Sequence, residues 1–597
     1  MARARHDAAH DLLVRVAALA SLVLVLAVPL VWHSGMEDMF RTPKTELALA
    51  AWGVLAAVFA VSNRSGAAWH ERWWAAWAGV LAGAGLSALA SGQAARVLAA
   101  TLPVALAALG WGAIRQLPDP RRRTLEHAII WAAVLEATAA LLFLRSEWRP
   151  ESFGLLPDLT GRYAVIGTLG NPADVAVFLV LPALLAGGYV FSSRKWRWLS
   201  AAAALLLTFV IVATRTFTAV VALALGAAVL AWRALPRTRR VPALAAVAGV
   251  SIVLVLATPL RERLSDTAAA LRDGNAIWLG SGRAVGYASA LAMFAAHPLT
   301  GVGFGLFEAN SFRFLSPDAL AARARVLGLE TGFGEAHNDL LQHTAETGAI
   351  GLALAVVGVV LAVRGGARAR GMVAPVAPLL AAAAVLALTQ FPLHLAAIAA
   401  QWTVLAALAL PRLEAPEPLS GRGRLRLVAV AVLCALVVAL AWQRVGASIT
   451  LHQAQALSDS VRAPETVPTA RRALARAALP HLVAKSRWLP FSWRAAVIVG
   501  NLAVDAGDIR LAVASFQRAL ALAERPEVRF DVGIALLMAG ERDAGMAHLE
   551  RAVELNPAVF RAITDPDLSR SLRRRLDANG YGLRYGWIYE GTPAAAP

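Results

Sequence analysis

Long apolar runs separated by short polar breaks dominate the chain from residue 11 to residue 442. A helix of about 20 apolar residues crosses a bilayer. By that measure the pattern predicts spans at Asp11 to Trp32, Glu46 to Ser62, Trp73 to Leu89, Ala95 to Ile114, Leu125 to Leu144 and Pro172 to Phe191. The apolar stretch from Trp198 to Trp232 is too long for one crossing and is broken only by Thr214, Arg215, Thr216 and Thr218. It predicts two short helices turning near Arg215, because a cation at mid-bilayer costs roughly 2.5 to 3.5 kcal/mol. Further spans follow at Val241 to Leu260, Ala349 to Val363, Val373 to Phe391, Leu395 to Leu410 and Leu427 to Trp442, which makes thirteen. The first run has Arg3 and Arg5 ahead of it, as a signal peptide would, but it is too long and lacks a small-residue cleavage site. A retained anchor is expected there.

After Gln443 the pattern turns soluble, with Ala, Leu and Arg at helical spacing. Gly507, Ala512, Phe516 and Ala519 align with Gly540, Gly545, Leu549 and Ala552, an offset of 33 residues, and Pro526 and Pro557 close the two units. This resembles the tetratricopeptide period of about 34 residues. Such stacks need more than two units, so residues 452–493 are expected to supply a degenerate third. An unrelated helical bundle is the alternative. Either would serve as a docking or oligomerisation surface for a protein partner, and the terminal GTPAAAP reads as a disordered tail.

Composition narrows the class: 58% hydrophobic and 16% charged residues, with mean hydropathy +0.58, do not suit a soluble multidomain protein. The expected fold is all-α, a polytopic transmembrane bundle of 12 to 13 spans over residues 1–445, including an outer loop at 261–347, followed by a helical domain at 446–597. The net charge of +18 would suit nucleic acid only if it formed a stripe interleaved with aromatics, and the cations instead sit in short loops. Arg64 and Arg72, Arg121 to Arg123, Arg194 to Arg197, Arg237 to Arg240, Arg368 and Arg370, and Arg422 to Arg426 fall in alternate loops. The bias toward cytoplasmic cations then places Arg215, the outer loop and the C-terminal domain on the outer side of the cytoplasmic membrane. Asn63-Arg64-Ser65 fits a glycosylation sequon but falls on the inner side. Cys434 is the only cysteine, so no disulfide holds an exported domain.

Candidate chemistry concentrates in the outer loop and just after it. The segment Gly334 to Gly351, GEAHNDLLQHTAETGAIG, brings His337, Asn338, Asp339, Gln342, His343 and Glu346 within three turns of a helix-compatible stretch ahead of a span. Buried, each would need a partner. Upstream, Gly301, Gly303 and Gly305 form a G-x-G-x-G run with no strand before it, which predicts a turn and not a nucleotide cradle. Asp339 and Glu346 are seven residues apart and make no acidic pair for a metal, so no metal or other cofactor is expected. His343, His297 and His394 read as interfacial or packing residues. Arg313, Arg323 and Arg325 suit either a loop closing on substrate or a solvated surface.

The pattern H-N-x-L-L-Q-x-x-x-E-x-G-x-x-G from His337 to Gly351 resembles the signature of the O-antigen ligase and polymerase superfamily, membrane glycosyltransferases of GT-C-like architecture that use polyprenyl-diphosphate-linked sugars. The resemblance implies a site of two arginines and one histidine: Arg215 at the outer end of a span, Arg283 at the start of a loop helix, a Pro-x-x-Gly-x-Gly turn within Pro298 to Gly305, and His337 as the catalytic base, with Asn338, Gln342 and Glu346 supporting. Guanidinium forks suit a leaving diphosphate, and an imidazole with an ordinary pKa near 6.5 suits an acceptor hydroxyl. The implied partners are an undecaprenyl-diphosphate-linked glycan donor and an acceptor that is lipid A-core for a ligase, a lipid-linked repeat for a polymerase, or protein for an O-oligosaccharyltransferase. A flippase for lipid-linked oligosaccharide is the reading from another class. The duller reading of Arg215 and Arg283 is as headgroup anchors.

Overall fold

The computed structural model describes residues 2–36, 38–63, 72–145, 164–257, 260–272, 283–316, 334–366, 376–413, 423–462 and 467–581. Arg64 and Ser65 of the sequon, Ser281 and Gly282, Arg323 and Arg325, the loop cations Arg368, Arg370 and Arg422, and the terminal GTPAAAP lie outside them. Among the described residues helix is the sole regular structure. Nine helices among the described residues are long and apolar enough to cross a membrane, and four shorter apolar ones, Trp74–Ala90, Arg197–Ala213, Val376–Thr389 and Ala396–Ala409, join them. Together they fall one to each expected span, including the pair that turns at Arg215.

The chain divides into two compact units. The first comprises residues 1–269, 337–343 and 349–445 and is the apolar bundle. Its deepest helix is Pro172–Ser192, with 78% of its apolar window buried, which packs on Asp119–Leu142, Arg197–Ala213 and Phe217–Ala234. Helices in lipid associate without a hydrophobic driving force, so small residues that allow close backbone approach matter most. Gly79 and Gly83, a G-x-x-x-G pair on Trp74–Ala90, meet the backbone of Leu354 and Gly351, and a Cβ on Gly83 would lie 2.8 Å from the Gly351 Cα.

Buried polar groups close both ends of this bundle. At one end Arg115 donates to the Pro411 carbonyl (3.0 Å) and Arg122 to those of Leu408 (2.8 Å) and Leu410 (2.6 Å). At the other, Lys44 donates to the carbonyls of Val31 and Thr168, while the Glu136 carboxylate accepts the N–H groups of Thr168 (2.9 Å) and Leu169 (3.2 Å) and the Thr168 hydroxyl. Each such loop backbone would otherwise be an unpaired polar group away from water.

The second unit comprises residues 270–336, 344–348 and 446–597, so the outer loop from Ala270 groups with the C-terminal helices. Two helical hairpins, Trp493–Ala506 with Ile509–Leu522 and Pro526–Met538 with Arg542–Leu555, repeat at the 33-residue offset. The repetition extends to detail. Gly507 and Gly540 both take left-handed φ, 80° and 88°, at the hairpin turns. Gly500 leaves room for Phe516 just as Gly533 does for Leu549. Ahead of them, Leu451, Ala454, Ala475, Leu479 and Leu482 share a core with the first hairpin, where the third unit was expected.

In the second hairpin, burial and the neighbouring Glu527 carboxylate, opposed by Arg462, push the Asp531 carboxyl up to about 7 from 3.8. The folded state therefore binds its proton more tightly than the unfolded chain does. Its contribution is full below about pH 4 and is lost as pH rises toward 7. Hydrogen exchange in Pro526–Met538, corrected for intrinsic rate, is expected to be slower at pH 5 than at pH 8. The Asp531→Asn variant should be more protected at pH 8 and show no such dependence. Equal protection of the natural chain at both pH values would show that Asp531 is not shifted.

Candidate functional site

In the first unit, the turn between Arg197–Ala213 and Phe217–Ala234 consists of Thr214, Arg215 and Thr216. Arg215 has φ 53°, a left-handed conformation that costs a non-glycine residue energy and persists only where its surroundings fix it. The Thr214 hydroxyl donates to the Ile211 carbonyl (2.7 Å) and accepts the Thr216 N–H (3.3 Å), and the Arg215 N–H donates to the Val212 carbonyl (3.0 Å). The half-buried Arg215 guanidinium bonds no described side chain. Three residues on, the Thr218 hydroxyl accepts from the Gln390 amide at 2.8 Å, which ties this turn to the segment Gln390 to His394.

That segment carries Phe391, whose ring packs edge-on against His337 with centroids 4.7 Å apart. The Arg41 guanidinium lies 5.7 Å from the same ring and 3.7 Å from the buried Asp174 carboxylate. Arg41, Arg215, Phe391 and His337 thus occupy one end of the bundle. His337 is not a helical residue, as had been expected. It has φ 57°, and the helix Asp339–Gly366 begins two residues later.

The residues expected to support His337 are largely committed to local structure. Asn338 caps the helix: its side-chain oxygen accepts the Leu341 N–H at 2.9 Å. The buried Gln342 places its amide nitrogen 2.9 Å from His394 Nε2, and His394 Nδ1 lies 2.8 Å from Asp339 Oδ1. A neutral imidazole protonated on Nδ1 satisfies both contacts, donating to the carboxylate and accepting from the amide. Asp339 also accepts the Leu393 N–H at 3.2 Å. His394, expected to be an interfacial or packing residue, pins the loop that presents Phe391.

The second unit holds Arg283 and Glu346. Arg283 opens the described helix Arg283–Ala296, as expected. Burial pushes the Tyr287 phenol, four residues on, above its usual range, and the charge of Arg283 opposes the shift. Glu346, 1% exposed, accepts the N–H groups of Gly305 (2.9 Å) and Phe307 (3.2 Å) through its carboxylate and that of Gly303 (2.9 Å) through its carbonyl. Gly301, Gly303 and Gly305 have φ 68°, 114° and 74°. The run is a turn wrapped on Glu346, and the carboxylate is a structural acceptor.

Arg41, Asp174, Phe391 and the bonding role of His394 escaped the sequence reading. One signal for the last two was the polar interruption Gln390 to His394 between two apolar runs; nothing local singles out Arg41. Among the described residues no three His, Cys, Asp or Glu side chains gather as metal ligands.

Replacing Asp339 with Ala is expected to cost about 1 kcal/mol of stability and to speed exchange of the Leu393 amide. Unchanged exchange there would show that the Asp339 carboxylate does not hold this loop.

Residues 201–356, about a quarter of the chain, match the family described as O-Antigen ligase. No curated protein matches the sequence. The matched stretch contains Arg215, Arg283, His337 and Glu346, and it supports placing the chain in the O-antigen ligase superfamily, with a membrane glycan-transferring function of ligase or polymerase type.

Proposed function

We propose that the protein transfers a glycan from undecaprenyl diphosphate to an acceptor hydroxyl on the periplasmic face of the inner membrane, with inversion and without a metal. The acceptor of first choice is lipid A-core. The observation that carries this reading is the grouping of Arg215 and Arg41 at the end of the bundle where Phe391 packs on His337. The cation-rich turns with Arg121 to Arg123 and Arg194 to Arg197 belong to the opposite end, which supports a periplasmic site.

In the proposed reaction the acceptor oxygen attacks sugar C1 as the bond from C1 to the diphosphate oxygen breaks. The leaving undecaprenyl diphosphate takes the bonding electron pair, and His337 takes the acceptor proton. Guanidinium groups stabilise the charge that grows on the leaving oxygens. Arg215 suits that role because its side chain is not committed elsewhere among the described residues. Arg283 supplies the second fork in this reading. The C-terminal hairpins are taken as tetratricopeptide-like.

The test is turnover by the full-length protein in detergent, with an undecaprenyl-diphosphate glycan and an acceptor. A new glycosidic bond and free undecaprenyl diphosphate are expected; no bond formation there, with movement of the donor across the bilayer of proteoliposomes, would make the protein a transporter. His337→Ala is expected to lose about 100-fold or more in kcat while still binding donor, and retained turnover would remove His337 from the mechanism. Arg215→Ala should weaken donor use about tenfold or more. Unchanged donor use would make Arg215 an anchor.

A further inference from the structure

The C-terminal helices were expected to offer a docking surface to an outside protein. Part of that surface is already taken, by a segment of the outer loop in the same unit. Arg525, at the junction between the two hairpins, has a side chain only 12% exposed. Its guanidinium lies 4.4 Å from the Trp493 ring of the first hairpin and 5.2 Å from the ring of Phe312 in the outer loop. Its Nη1 is 3.6 Å from Glu308 Oε1, and its Nε donates to Glu527 at 2.5 Å. The Trp493 indole N–H donates to the same Glu308 oxygen at 3.3 Å, and the Glu524 N–H donates to the Ala309 carbonyl at 3.2 Å. A cation held between two aromatic faces and a carboxylate, beside a main-chain hydrogen bond, is a built contact and not a passing one.

The contact continues inward. Ser311, one residue before Phe312, accepts through its carbonyl from the Ser289 hydroxyl at 3.1 Å, and both serines are fully buried. Ser289 lies on the helix that Arg283 opens, two turns along. On its other flank the segment is held by Glu346 through Gly305 and Phe307.

We propose that the C-terminal unit is an internal clamp on residues 308–312, with Arg525 as its positioning residue, and that through Ser311 and Ser289 the clamp sets the placement of the helix bearing Arg283. The inference rests on the reading of Arg283 as a donor-binding group. Arg525 itself touches no substrate. Loss of the clamp acts on donor binding and leaves the chemical step alone.

The experiment compares donor KM and kcat of full-length wild type, Arg525→Ala, Glu308→Ala and the double variant in detergent, with hydrogen exchange across residues 306–312. Each single variant should raise donor KM about tenfold, equivalent to about 1.4 kcal/mol, with kcat nearly unchanged. The double variant should lose less than the sum of the two single losses, since both disrupt the shared contact between Arg525 and Glu308. Arg525→Lys, which keeps a cation between the rings but loses the planar fork, should fall between wild type and Arg525→Ala. Arg551→Ala, which breaks an exposed pair with Glu554, should change nothing. Exchange should quicken over 306–312 in Arg525→Ala while Trp493–Ala506 stays protected. Unchanged KM, additive losses, or a fall in kcat alone would overturn the proposal. Should wild type transfer no glycan, the reading of the function fails, and the clamp is then judged by exchange alone: unaltered exchange over 306–312 in Arg525→Ala overturns it.

Discussion

The acceptor groups of Glu346 determine how the outer loop is built. A carboxylate buried to 1% exposure is costly unless its oxygens are used, and here they take two main-chain N–H groups while the residue's carbonyl takes a third. Those donors line up only because Gly301, Gly303 and Gly305 adopt left-handed φ. A side chain on Gly301 would also collide, since its Cβ would run into the Glu346 backbone. Gly348 answers from the other side with φ 67° inside Asp339–Gly366, and a Cβ there would meet the backbone at Leu299 and Thr300. The turn thereby fixes where the Arg283 helix ends and where the segment gripped by Arg525 begins.

The apolar unit solves a different problem. Its helices gain little from hydrophobicity against lipid, so close glycine contacts and end-capping hydrogen bonds specify the bundle. The same polar end-groups shade into the candidate site. Asp339 holds His394 and the Leu393 amide, which positions Phe391, and Phe391 is the surface against which both His337 and Arg41 rest. Two residues at this end, Arg215 and His337, are the non-glycine positions with positive φ among the described residues. Such strain survives only where the surroundings over-determine it, and it gathers at functional sites.

Much of this was legible beforehand, because it depends on periodicity and charge. The thirteen apolar helices, the break at Thr214 to Thr216 and the 33-residue recurrence of Gly507 and Gly540 each leave a regular mark on the chain. What stayed hidden depends on pairs far apart in sequence. Asp339 and His394 are 55 residues apart, and Glu308 lies 185 residues from Trp493. No local spacing announces such contacts. His337 misled for a related reason: a polar stretch compatible with a helix does not reveal that the helix starts two residues later, after a left-handed residue and an asparagine cap.

The central claim is that the end of the bundle presenting Arg41, Arg215 and His337 receives a pyrophosphoryl lipid. Its most direct measurement is a cryo-electron microscopy map of the full-length protein in lipid nanodiscs with undecaprenyl diphosphate bound. The account predicts phosphate density against the Arg215 guanidinium, beside the paired rings of Phe391 and His337. Density seated instead near Arg115 and Arg122 at the opposite end, with Arg215 facing only lipid or solvent, would contradict it.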